Sequence, residues 1–307
     1  MQFYLPIADL PINIFVLLGL GVSVGFISGM FGIGGGFLMT PLLIFLGIPP
    51  AVAVASVASH ITASSFSGAL TYWRRNAIDL PLACMLLAGG VLGTAGGVGL
   101  FTLLQGLGQL DLTIGISYVV LLTAVGGLMV SESLRAMLRA RRGRPVELRR
   151  PGSHTWIHHL PLRMRFKRSR IYVSVIPVWG IGFLMGFLGS VMGIGGGFLL
   201  VPMLIYLLRV PTATVIGTSM VLTLVTMATA TLMHAVTNRQ VDAVLALFLM
   251  IGGSIGAQFG AQAGQKLRAD RLRFLLGLLV MAVGVRFAII LIVTPADLYS
   301  IRLLAGG

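Results

Sequence analysis

The 307-residue chain is 57% hydrophobic and only 10% charged, with a mean hydropathy of +0.99, whereas an ordinary soluble domain carries about 25% charged residues. That excludes a soluble globular fold and identifies an all-α integral membrane protein, and the single Cys84 excludes a disulfide framework or a Cys-rich metal site. The net charge is +14, but 12 of the 22 Lys and Arg residues fall within 135–170, which points to a positive-inside loop and away from nucleic acid.

A spanning helix needs about 20 mostly apolar residues. The N-terminal residues carry no basic stretch, so no cleaved signal peptide is expected. The first half predicts a helix over 12–30, a break at GIGGGF (32–37) and a short apolar piece over 37–48. Pro49 and Pro50 end that piece, and a long helix over 51–73, a polar turn over 74–79 and spans over 80–104 and 112–130 follow. The second half repeats the order: a helix over 171–192, GIGGGF at 193–198 and a short piece over 198–208. A long helix over 211–236, a turn over 237–242 and spans over 243–262 and 274–293 complete it.

The two GIGGGF copies lie 161 residues apart, and the same offset matches Pro41 to Pro202 and Pro50 to Pro211. After a two-residue insertion the offset is 163, matching Asp79 to Asp242, Gly89 to Gly252 and Gly93 to Gly256. The organisation expected is a first transmembrane repeat over 12–130, a basic cytoplasmic loop over 131–170 and a second transmembrane repeat over 171–293. That gives about 8–10 membrane segments with glycine-broken helices. The loop at 105–111 has no Lys or Arg, while its counterpart at 265–273 has Lys266, Arg268, Arg271 and Arg273. Equivalent loops of opposite charge character predict opposite sides of the membrane, hence an inverted repeat. The expected location is the cytoplasmic membrane, with a homo-oligomer left open. Whether the short pieces span or re-enter is also open, since 11–12 residues reach only about 18 Å of a core about 30 Å thick.

Several glycines in six residues open a helix, each costing about 1 kcal/mol relative to alanine. Irregular backbone at membrane depth survives only where protein or a watery cavity satisfies it. The N–H groups at the start of the next half-helix, with the positive end of its dipole, make an anion site from backbone. Gly34, Gly35 and Gly36 in one half and Gly195, Gly196 and Gly197 in the other are the candidates. On the long helices, Ser56, Ser59 and His60 and, in the second half, Thr218 and Ser219 offer hydrogen-bonding groups for an anion, as does the charge of Arg286 in the last span. Asp79 and Asp242 are better explained as helix N-caps, and the four-residue spacing of Gly89, Gly93, Gly97 and of Gly252, Gly256, Gly260, Gly264 as helix packing. Thr223, Thr226 and His234 add polar groups to the second long helix, and Thr40 lacks a symmetric partner because Val201 aligns with it.

The stretches GMFGIGGGFLMTPLLI and GSVMGIGGGFLLVPMLI resemble the paired signature of the TauE/SafE family, the sulfite exporters. IGTS at 216–219 and NRQVD at 238–242 fit it too; the small residues around Ala55, Ser56, Ser59 and His60 and the long basic loop depart from it. The resemblance implies a multi-pass transporter for small sulfur-containing anions such as sulfite or sulfonates. The function expected is thus secondary transport of a small anion, a sulfur oxyanion or organosulfonate, by alternating access. An anion channel, or a transporter of a non-sulfur organic anion, is the alternative. Neither a nucleophile motif nor a carboxylate pair is apparent, so no enzyme, metal or cofactor is expected; the partners are the small anion and the lipid bilayer.

Overall fold

The structure is a computed structural model that describes residues 2–31, 36–74, 76, 78–141, 162–166, 169, 171–206, 212–264 and 269–292. Most of the basic loop, the first break at 32–35 and residues 265–268 therefore lie outside the described residues. Ten α-helices and two short hairpins are described. The first half runs β1 (Gln2–Leu5), β2 (Leu10–Asn13), α1 (Ile14–Phe31), α2 (Gly36–Phe45), α3 (Pro50–Arg74), α4 (Leu80–Gly106) and α5 (Leu110–Arg141). The second runs β3 (Arg163–Phe166), β4 (Ile171–Ser174), α6 (Val175–Met192), α7 (Gly197–Tyr206), α8 (Thr212–Met233), α9 (Ala243–Gly264) and α10 (Ala269–Ile292).

Among the described residues, six helices are long and apolar enough to cross a membrane: those over Leu80–Gly106, Leu110–Arg135, Val175–Met192, Thr214–Asn238, Ala243–Gly260 and Phe274–Ile292. Large apolar side chains such as Leu92, Val120, Leu128, Phe259 and Ile292 point outward and are more than half exposed. In water such a belt would aggregate; in a bilayer it is the lipid-facing surface. The protein is an all-α, multi-pass membrane protein.

Three local departures from the sequence pattern have physical causes. The first helix of each half starts later than its apolar run, at Ile14 and Val175, because the preceding residues pair as antiparallel strands. Polar residues then start the helices: Asn13 Oδ1 accepts from Phe15 N–H at 3.1 Å, and Ser174 Oγ accepts from Ile176 N–H at 3.3 Å. Helix α5 continues past 130 to Arg141 on SESLRAMLRAR, rich in strong helix formers. Finally, α8 ends in a π-helical turn, His234–Asn238, closed by Arg239 at φ 52°. A wide turn absorbs extra chain without unwinding the helix, and it falls where the repeat offset lengthens.

Helix packing mirrors itself between the halves. Helix α1 packs on α9 as α6 packs on α4; α3 faces α8, and α5 faces α10. Glycines set these distances. A Cβ on Gly89 or Gly93 would overlap the carbonyls of Trp179 or Phe183, and one on Gly256 or Gly260 those of Val22 or Phe26. Backbones this close need glycine and associate through van der Waals contact. The contacts also fix direction. Gly21, Gly25 and Gly29 meet Gly252, Gly253 and Ala257 in order, so α1 and α9 run parallel. Gly89, Gly93 and Gly97 meet Trp179, Phe183 and Phe187 in order, so α4 and α6 also run parallel. Gly126 meets Gly277 while Gly115 meets Leu291, so α5 and α10 run antiparallel.

Candidate functional site

The second glycine break is built from its residues upward. Helix α6 ends at Met192, and Gly193 closes it at φ 68°, its N–H donating to Gly189 O at 2.8 Å. Gly195 and Gly196 follow at φ 73° and 54°, backbone that a Cβ would strain by about 1–2 kcal/mol. Helix α7 then starts at Gly197.

Side chains from four elements pair the carbonyls of this turn. His234 Nε2 lies 3.1 Å from Ser190 O, and Tyr118 Oη donates to Met192 O at 2.5 Å. Thr40 Oγ1 donates to Gly193 O at 3.3 Å, and Thr223 Oγ1 to Gly195 O at 3.1 Å. The donors are treated differently. The N–H groups of Gly197, Leu199 and Leu200 find acceptors within the turn; among the described residues none is found for those of Ile194, Gly195 and Gly196. The break is thus a buried segment at the positive end of α7, with most of its carbonyls paired and three N–H groups without an acceptor among the described residues. A Cβ on Gly196 would meet nothing closer than Met185 Cβ and Thr223 Oγ1, both at 3.7 Å, an ordinary van der Waals contact without a clash.

The start of α2 packs on the second break. Gly36, the first residue of α2, packs so that a Cβ would stand 2.8 Å from Gly193 O and 2.9 Å from Ile194 O. The aromatic residues that close the two motifs, Phe37 and Phe198, are buried and stack with centroids 4.3 Å apart and planes 7° apart. Ile61 of α3 covers both Gly36 and Gly195.

The predicted site residues separate into groups. Gly36, Gly195, Gly196 and Gly197 come together, while Gly34 and Gly35 lie outside the described residues. Ser56 and His60 face α9: Ser56 Oγ accepts from Asp242 N–H at 2.9 Å, and the His60 ring lies against Gly253. Ser59 Oγ and His60 Nδ1 are buried without a hydrogen-bond partner among the described residues. Thr218 Oγ1 accepts from Asp79 N–H at 3.4 Å, and Ser219 Oγ donates to Ile216 O of its own helix at 2.8 Å. Arg286 is exposed, its guanidinium 4.8 Å from the centroid of the Phe45 ring, on the outer side of α10. Tyr118 and the Phe37–Phe198 stack are functional candidates that sequence reasoning did not single out. The phenylalanines were visible inside the repeated motif; Tyr118 sits in an apolar run with no local signal.

A family model described as Sulfite exporter TauE/SafE matches residues 17–287. A "Probable membrane transporter protein" of Xylella fastidiosa (strain 9a5c) is 30% identical over 283 residues, covering 89% of this chain and 94% of that protein. The "Probable membrane transporter protein YjnA" of Bacillus subtilis is 25% identical over 270 residues, covering 87% of this chain and 96% of its own. "Sulfite exporter TauE/SafE family protein 3" of Arabidopsis thaliana is 36% identical over 67 residues, 22% of this chain and 14% of that one. No solved structure matches.

Proposed function

From the premise that this chain belongs to the sulfite exporter TauE/SafE family of membrane transporters, we infer that it is a secondary transporter of a small anion. A sulfur oxyanion or an organosulfonate is the favoured cargo. The observation that carries the reading is the second break: the N–H groups of Ile194, Gly195 and Gly196, which have no acceptor among the described residues, lead into the start of α7. Backbone donors fixed in this way suit a tetrahedral or pyramidal oxyanion. Gly34–Gly36 would supply the corresponding donors from the first repeat. No enzymatic role is needed to account for the arrangement.

Alternating access requires two halves that exchange roles, and an inverted repeat provides them. Helix directions support inversion. The three-residue connection after α4 makes α4 and α5 antiparallel, and the short connection after α9 does the same for α9 and α10. With α1 parallel to α9, α6 parallel to α4 and α5 antiparallel to α10, α1 and α6 point in opposite directions. The basic 131–170 loop then lies on the cytoplasmic side of the cell membrane. The buried Phe37–Phe198 stack sits between the starts of α2 and α7. A channel reading has less support, because this packed pair interrupts any continuous polar path.

Counterflow in proteoliposomes tests the carrier. Unlabelled sulfite trapped inside should drive transient uptake of labelled sulfite above its equilibrium level. Linear, non-saturating flux without counterflow would reject the carrier in favour of a channel. Saturable counterflow of acetate but not of sulfite or taurine would retain the carrier and reject the sulfur cargo.

A further inference from the structure

The hairpins obey the repeat residue for residue, as α1 with α6 and α2 with α7 do. Strands β1 and β2 match β3 and β4 at the same offset of 161: Gln2 pairs with Asn13 as Arg163 pairs with Ser174. Each hairpin buries an equivalent large apolar side chain completely, Leu5 or Phe166, and tucks a small residue of its tip inward: Ala8 is 4% exposed and its equivalent Ser169 is 1% exposed.

Each tip reaches a buried carboxylate of the opposite repeat. Ile7 N–H donates to Asp242 Oδ2 at 3.1 Å. Ser169 donates to Asp79 Oδ2 twice, from N–H at 2.8 Å and from Oγ at 2.7 Å. The two oxygens of each carboxylate have different tasks. Oδ1 caps the following helix, accepting from Leu82 N–H in one repeat and from Val244 and Leu245 N–H in the other. Oδ2 is given to the hairpin. The backbone N–H of each aspartate in turn donates to a long helix, to Ser56 or Thr218. A helix cap needs only the first oxygen. The second ties a mobile type of element, a two-stranded hairpin that is marginal by itself, to a group that is costly to bury unpaired. The hairpin is either seated with the carboxylate bonded, or lifted with the carboxylate hydrated.

We propose that the two hairpins are the access gates of the transporter, one on each face of the membrane, latched by Asp242 and Asp79. The proposal rests on the inverted-repeat carrier reading above. Both latches are seated in this structure, which therefore corresponds to an occluded state. The latches are unequal: Ser169 contributes a hydroxyl where Ala8 has none, so the β3–β4 gate holds more firmly. Because a carrier opens one side at a time, loosening one gate draws population away from the state in which the other is open.

The test uses the full chain with Cys84→Ser, which removes the exposed native thiol, and Ala8→Cys as the reporter. Membrane-impermeant maleimide labels position 8 only when the β1–β2 gate lifts. Asp242→Asn should speed that labelling about tenfold, the effect of about 1.4 kcal/mol on an opening equilibrium. Ser169→Ala, which keeps the backbone N–H hydrogen bond to Asp79 and removes only the hydroxyl hydrogen bond, should slow labelling at position 8 several-fold. Ser169→Cys should be labelled from the opposite face. An unchanged or faster rate at position 8 in Ser169→Ala, or labelling of both positions from one face, overturns the gates. Anion-dependent melting of the same proteins reads the transporter assignment separately. Anion binding without reciprocal labelling removes the gates alone, and loss of both removes the reading beneath them.

Discussion

Gly196→Ala separates a binding glycine from a packing glycine. Gly196 sits at φ 54°, so alanine there incurs about 1–2 kcal/mol of backbone strain. It meets no clash, because its Cβ would lie 3.7 Å from the nearest atoms. Gly93→Ala is the matched control. It has no positive φ, but its Cβ would overlap the Phe183 carbonyl and force α4 and α6 apart, an overpacking cost of about 1–3 kcal/mol. Both variants should therefore fold and lose similar stability. They should differ in anion binding. The added methyl at 196 stands next to the N–H groups proposed to bind the anion, and losing one hydrogen bond to a charged ligand costs about 1.5–3 kcal/mol. That weakens Kd roughly 10- to 100-fold at 1.4 kcal/mol per tenfold. Titration calorimetry on detergent-purified protein reads the affinity, and thermal melting reads the fold. A folded Gly196→Ala with the affinity of Gly93→Ala would refute the backbone-site reasoning.

Tyr118→Phe should lower stability by about 1–3 kcal/mol, because Met192 O is left as a buried carbonyl without its donor; melting against the parent protein checks it. Phe198→Ala should cost about 3–5 kcal/mol through the cavity left in the core, and a double-mutant cycle with Phe37→Ala should give a coupling of about 0.5–1.5 kcal/mol for the stack. Arg286→Gln should leave anion Kd within about twofold, since the exposed guanidinium rests on the half-buried Phe45 ring; calorimetry with sulfite measures this.

How far the sequence carried the account depends on periodicity. The helices and the repeat were legible because glycine, proline and aspartate recur at fixed offsets, and such residues determine backbone shape wherever they fall. The N-cap role of Asp79 and Asp242 was legible for the same reason. The hairpins were not. Their strands are four residues each, merge into the apolar run of the next helix, and differ between copies in all but pattern, as LPIN and IYVS show. The second task of the aspartates, holding a hairpin from the other repeat, therefore stayed hidden. At the candidate site the glycines stood out in the sequence by their density. Which polar side chains pair their carbonyls depends on helix-to-helix packing, so Thr40 looked unsupported by symmetry although it bonds Gly193 O, and Ser56 and Thr218 looked like ligands although they receive helix-start N–H groups.

The central claim is that the chain binds a small anion, and thermal melting of the detergent-purified protein against sulfite, sulfate, thiosulfate, taurine, sulfoacetate, acetate and chloride tests it most directly. A ligand that binds only the folded state stabilises it by about 2.7 kcal/mol at 100 times its Kd. The account predicts upward shifts with sulfur oxyanions or sulfonates that are lost in Gly196→Ala and kept in Gly93→Ala. Shifts of equal size in both variants, or no shift with any anion of the panel at saturating concentration, would contradict it.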